Sequence, residues 1–271
     1  MRHVGPNVPA DLVELFEREG PRIAAVVVEP VLGTGTVELQ QGYLETLVAL
    51  RDEWGFLLVA DEVATGFGRT GPMFASSTWP GRPDVLVTSK GMTNGTSAAA
   101  AILVSEAIVE CFDRHEQILV HAETQAGTPV SSAAVVATIA EFERLGALRT
   151  GAAAAAALDA GLRRLQPGLP APTSLAGRGL FRTLHVQDPD APGTPVPGSA
   201  VAALVTAVRR AGAVVHPGPA GIQLIPPLTY THADVDQLLE CVTAGFEVVA
   251  AQGGLRAPAP TAPSGALEVA S

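Results

Sequence analysis

Four short apolar runs, set between stretches of helical period, constrain the fold of this chain more than any other feature. These are residues 23–28 (Ile-Ala-Ala-Val-Val-Val), a β-branched run, and 56–60 (Phe-Leu-Leu-Val-Ala), 83–89 (Pro-Asp-Val-Leu-Val-Thr-Ser) and 99–104 (Ala-Ala-Ala-Ile-Leu-Val). Continuous apolar runs of this length read as strands covered on both faces. Residues 9–19 carry helical spacing with acid in the first turns, and residues 42–54 place Leu44, Leu47, Val48 and Leu50 to one side before Gly55 closes the segment. Strands that alternate with helices imply right-handed βαβ connections and a mostly parallel sheet flanked by helices. Ligands of such a sheet gather at the carboxyl ends of its strands.

From Pro129 the pattern changes to Ala-rich helices, 129–145 and about 151–165, with the proline suited to a first helical turn. Residues 167–172 read as a linker. A strand at 180–186, a helix at 199–211, a strand at 222–225 and a helix at 232–249 then make a small C-terminal α+β domain. The expected division is a large α/β unit over 1–150, the small domain with its bridging helix over 151–250, and a disordered Ala-, Pro- and Gly-rich tail over 251–271.

Composition narrows the function. With 271 residues, 47% of them hydrophobic, the chain can bury a substantial core. A formal net charge of -10 disfavours nucleic acid or an anionic membrane as partner. No apolar stretch approaches the roughly 18 residues of a membrane span, and the N-terminus lacks the apolar core of a signal peptide, so the cytoplasm is the expected location. Cys111 and Cys241 have neither CxxC spacing nor a histidine cluster, which leaves no metal site to expect; both read as packing residues.

Lys90 is the only lysine, against sixteen arginines. Unlike a guanidinium, a lysine amine can lose its proton and condense with an aldehyde. A solvated lysine left over in an arginine-rich composition is the plain alternative, and Lys90 by itself does not decide. Asp61 and Glu62 stand at the end of the 56–60 run. Asp61 either caps the following turn or pairs with a bound cationic group such as a protonated heterocyclic nitrogen. Gly66, Gly68 and Gly71 match neither a dinucleotide fingerprint nor a Walker loop and read as loop flexibility. Thr124, just before a long helix, is either a turn residue or a hydroxyl for a phosphate.

Taken in order, Glu29-Pro30-Val31, the run from Asp61 through Gly71, Pro83-Asp84, Ser89-Lys90-Gly91-Met92-Thr93-Asn94-Gly95, Thr124 with Gly127-Thr128-Pro129, and Pro226-Pro227-Leu228 resemble class III aminotransferases dependent on pyridoxal phosphate. The resemblance covers about residues 20–250. It implies a large domain of fold type I. It also implies that Lys90 forms the internal aldimine and shuttles the substrate proton, that Asp61 partners the pyridinium nitrogen, and that Val63 packs under the ring. Thr124 would hold the phosphate across a dimer interface. The implied reaction moves an amino group from an amine or amino acid donor to an oxo-acid or aldehyde acceptor.

Two departures modify that expectation. The family carries a long segment before the strand that ends at Glu29, with further strands, a ring-stacking aromatic residue and a phosphate loop. A truncated gene model, a split enzyme completed by another chain, or a degenerate remnant that pairs with a full-length paralogue as a non-catalytic subunit would each account for its absence; the resemblance implies a homodimer or completion by another chain. Many members acting on α-amino acids also have an arginine three residues before Pro-Pro-Leu, where this chain has Gln223. That favours an amine, ω-amino acid or amino-sugar-like donor. Aminomutases and a decarboxylase share the motifs, and a plain nucleotide-binding domain is the remaining alternative.

Overall fold

The computed structural model describes residues 1–121, 124 and 126–256. Helix α1 (Pro9–Glu19) starts on a proline and buries Leu12 and Phe16. It leads into β1 (Ala25–Val28), then a small hairpin of β2 (Val31–Leu32) and β3 (Val37–Glu38). Helix α2 (Gln41–Trp54) stops at Gly55, which sits in the left-handed region with φ 72° and donates its N–H to Arg51 O at 2.8 Å. Strands β4 (Leu57–Asp61), β5 (Val85–Thr88) and β6 (Ala101–Val104) complete a sheet of order β1-β4-β5-β6. The first three strands are parallel, and β6 runs antiparallel to β5. This is the mostly parallel, helix-flanked sheet that the apolar runs imply.

Only one face of that sheet is covered as expected. Leu58 is fully buried against α1 and α2 in a cluster built on Phe16, Leu47 and Phe56, and Ala60 on the same face is fully buried as well. The opposite face, where Val27 and Leu57 point, is open: Val27 is 64% exposed and Leu57 42%. The reading of residues 23–28 as covered on both faces is therefore corrected. β-branched composition reports suitability for a pleated surface, whereas a cover must come from other segments. Helices α3 (Glu106–Arg114) and α4 (Pro129–Arg144) bury no residue.

The second unit is closed. Helix α5 (Ala147–Leu165) leads to a sheet of β7 (Thr173–Arg178), β8 (Phe181–Val186), β10 (Gly221–Leu224) and β9 (His216–Gly218), in that spatial order and wholly antiparallel. Leu184, Ile222 and Leu224 on one face of this sheet join a cluster with α5, α6 (Gly198–Ala211) and α7 (His232–Ala251). Helix α7 begins with a capping box in which Thr231 and Asp234 exchange hydrogen bonds. Arg182, 10% exposed at its side chain, pairs with Asp159 of α5 at 2.7 Å. Hydrogen bonding from Arg163, with help from Arg182, holds the Asp159 carboxyl below the usual carboxylate range.

Cys241 is buried and donates to Ala211 O at 3.1 Å, as a packing residue should; Cys111 is exposed on α3, against expectation. Of the expected tail, residues 251–256 are described: Leu255 is buried in the small-domain cluster and Arg256 pairs with Asp190 at 2.7 Å. The remainder, 257–271, lies outside the described residues.

Candidate active site

The two acids at the end of β4 divide their work. Glu62 is fully buried, and its carboxylate accepts from Thr65 Oγ1 at 2.7 Å, Ala75 N–H at 3.0 Å and Ser76 N–H at 2.7 Å. It is saturated by its own loop, as a buried charge must be. Asp61 accepts only the Val63 N–H, at 3.0 Å through Oδ1. This is the turn cap anticipated as one of its two roles, and it leaves the other carboxylate oxygen without a partner among the described residues.

Register places Asp61 opposite Val87 of β5, so Lys90 follows at the same carboxyl edge of the sheet. Lys90 has φ 32°, a left-handed conformation uncommon for a residue with a Cβ. The turn closes with Met92 N–H donating to Ser89 O at 2.8 Å. Next to it, Gly91 has to be glycine: a Cβ there would come within 2.8 Å of Phe67.

Phe67 belongs to the glycine-rich segment 66–71, read from sequence as a flexible loop. It is instead pinned. A Cβ on Gly66 would meet Glu62 O at 2.9 Å, and Gly68, with φ 79°, packs beneath Leu148 and Leu228. The Arg69 guanidinium donates to the carbonyls of Leu180 and Pro226, and Leu180 N–H returns to Arg69 O at 2.9 Å. Burial pushes the Arg69 pKa below its ordinary value. Gly66 thus serves close packing within its own loop, and Gly68 serves close approach to the second unit.

A cavity of about 1060 Å³ opens between the carboxyl edge of the large sheet, α4 and the small domain. Lys90, Val63 and Gln223 all line it, together with Phe67, Phe142 and Leu228. Asp61 is not itself on the lining, although Val63 and Ala64 just after it are. Thr124 is exposed and is not on the cavity lining, and its neighbours 122, 123 and 125 lie outside the described residues. Three of the five expected site residues thus converge, a fourth adjoins them on the next strand, and the fifth does not. Sequence reading missed Phe67, His216 and the α4 wall. Phe67 stood inside a motif already singled out, whereas nothing in the α4 segment marked the side turned to the cavity.

Gln223 reaches the cavity through a second set of bonds. Its Nε2 donates to Gly33 O at 2.9 Å and to Thr36 Oγ1 at 3.0 Å, both on the tip of the β2–β3 hairpin. Thr36 Oγ1 also bonds Thr183 Oγ1, and Gly33 N–H donates to Glu29 Oε2 at 2.9 Å. Thr36 is fully buried at φ 56°, a conformation that costs a β-branched residue about 1–2 kcal/mol. Nearby His185 is held below the ordinary histidine range by burial, against the opposing influence of a hydrogen bond from its ring to the Gly35 backbone carbonyl.

An amine at the end of one strand, and an incompletely engaged acid at the end of its neighbour, fit a cofactor with an aldehyde and a protonatable ring nitrogen. The cavity volume accommodates pyridoxal phosphate with a small substrate. The phosphate has no evident ligand set among the described lining residues.

A model of the family Aminotransferase class-III matches residues 7–245. An acetylornithine aminotransferase from Thermosynechococcus vestitus is 29% identical over 89% of this chain and 56% of its own length. A diaminobutyrate–2-oxoglutarate transaminase from Halomonas elongata is 30% identical over 88% of this chain and 53% of its own. The crystal structure of an (S)-enantioselective omega-transaminase from Thermomicrobium roseum superimposes with TM-score 0.82 at 33% identity, over 89% of this chain and 55% of that one. The chain spans about half the length of the relatives it matches.

Proposed function

Because this chain belongs to the class III aminotransferases, we propose that it carries the lysine-bearing half of a cytoplasmic transaminase that uses pyridoxal phosphate. The observation that carries the proposal is Lys90 and Asp61 at the adjoining carboxyl ends of β5 and β4, beside a cavity large enough for cofactor and substrate. Lys90 would hold the cofactor through its amine, Asp61 would keep a proton on the ring nitrogen, and Val63 would pack against the ring. When bound, pyridoxal phosphate supplies the electron sink that makes a proton on the donor's α-carbon removable. Lys90 Nζ would take that proton and return it as general acid and base. Asp61, held by the Val63 N–H through one oxygen, keeps the other for the ring. Phe67 and Leu228 would exclude water from the reacting edge.

The donor side of the proposal follows from Gln223. Both N–H groups of its amide are engaged by the hairpin tip, so it offers no cation and no free donor to clamp a carboxylate. We therefore favour an amine or ω-amino donor, with an oxo acid or aldehyde as acceptor. We take residues 1–150 and 151–250 as the two units of the half-enzyme. Thr124, which does not line its own cavity, would serve the phosphate of a second copy in a homodimer.

The open face of the large sheet favours a companion reading, in which another polypeptide completes the fold and this chain is inactive alone. One experiment addresses both. The chain is mixed with pyridoxal phosphate, reduced with borohydride, and its peptides are mapped by mass spectrometry. Near-complete modification of Lys90 that drops in Asp61→Ala supports a competent cofactor pocket. Weak labelling indifferent to Asp61 would refute it for the chain alone and support completion by a partner.

A further inference from the structure

Resting on that reading, we propose that the hairpin tip Gly33–Thr36 is the specificity-setting wall of the cavity, and that Thr183 and Gln223 are positioning residues that hold it. Gln223 then acts on the donor through Gly33 and not by touching it.

Four observations carry this. Gly33 and Gln223 both line the cavity, so the tip forms part of its surface. The tip itself is a two-residue-stranded hairpin, too short to hold its own conformation. Glu29 Oε2 accepts the Gly33 N–H from within the large unit, and the other bonds come from the small domain: Thr183 Oγ1 and Gln223 Nε2 on Thr36, and Gln223 Nε2 on Gly33 O. The small-domain sheet is also shaped to receive it. Gly177, with φ 78°, stands where a Cβ would come within 2.4 Å of the Thr36 methyl.

Thr36 is the informative residue. A β-branched side chain in the left-handed region persists only where its surroundings over-determine it. Here a buried threonine is paired hydroxyl to hydroxyl with a second fully buried threonine from β8. The bonds that order the tip consume the donors of Gln223, so where the tip meets the cavity the wall presents a glycine backbone, with His216, the register partner of Gln223 on β9, as the titratable side chain beside it. The ligand class that such a wall admits is a donor whose end facing it is uncharged. A carboxylate brought to the same place would face Gly33 O and the oxygen-rich cluster behind it.

The test uses Thr183→Val, which removes the hydroxyl at nearly constant volume, and Thr183→Ser, which keeps it. Hydrogen exchange of the amides at 34–36 is followed by mass spectrometry. Binding of 2-phenylethylamine and of phenylalanine to the cofactor-loaded chain is followed by the change in cofactor absorbance. In Thr183→Val, exchange at the tip should accelerate about tenfold, the consequence of one lost buried hydrogen bond. The preference for the amine over phenylalanine should narrow about fivefold as the wall moves. Thr183→Ser should retain wild-type exchange and preference. Unchanged exchange in Thr183→Val, or faster exchange with an unmoved preference, would overturn the proposal. A wild-type chain that takes no cofactor on Lys90 sinks the transamination reading and the donor selection built on it; whether the tip is keyed by the small domain is then decided by exchange alone.

Discussion

The two sheets of this protein are built from similar residues and end in different environments. In the small domain, β8 and β10 lay Leu184, Ile222 and Leu224 against α5, α6 and α7, and all three are essentially inaccessible. In the large unit, Leu58 is equally inaccessible on one face of β4, while Leu57, its neighbour on the opposite face, is 42% exposed. The difference lies in what the chain supplies as cover. Three helices close over the small sheet, whereas α1 and α2 reach only one side of the large one. A strand's composition therefore states what it can bury, and the rest of the polypeptide decides whether it does. The functional consequence is that the half of the cavity formed by the small domain is rigidly backed. The half formed by the large sheet lies on a layer with one bare surface.

The sharpest way to break this comparison is a pair of truncations measured by urea unfolding. Phe246→Ala, deep in the small-domain cluster, should cost about 3–5 kcal/mol. Val27→Ala, on the bare face, should change stability by less than about 0.5 kcal/mol. A large loss at Val27 would mean that the face is covered in solution, by a second copy or another chain. Next in size is Thr231→Ala, which removes the cap of α7 and should cost about 1 kcal/mol, lowering the midpoint of small-domain unfolding. The smallest effect concerns the seam between the regions. Burial lowers the pKa of His185 in the folded state, so the folded protein binds fewer protons there than the unfolded chain. The stability this contributes is fully present above the ordinary histidine value of about 6.5 and is lost as pH falls from there through the lowered folded value. A pH series of unfolding midpoints should slope downward on that acid side, and His185→Gln should flatten part of the slope.

Much of the fold was legible in the chain. Helices α1, α2, α4, α6 and α7 and strands β4, β5, β8 and β10 lie within a few residues of their expected positions, because each has strong periodicity or a continuous apolar run bounded by Gly or Pro. The elements that escaped are those with weak local signals. Strand β7 ends in Ala-Gly-Arg with Gly177 in the left-handed region, β9 contains Pro217, and the β2–β3 hairpin has only two residues per strand. Each of these exists because a partner pins it: β7 by six register pairs to β8, β9 by β10, and the hairpin tip by Thr183 and Gln223.

The candidate site divides along the same line. The single lysine, the acid at the end of a buried strand, and the order of the motifs around them were determined by the sequence itself, since they depend on residue type and on adjacency along the chain. That Glu62 is spent on its own loop while one Asp61 oxygen has no partner among the described residues, that the glycine-rich segment is packed and not loose, and that the Gln223 amide is bonded to the hairpin tip were decided only by tertiary structure. The physical reason is that the hydrogen-bond partners of a side chain come from segments far away in sequence, 147 residues apart in the case of Thr36 and Thr183. Local pattern carries no information about them.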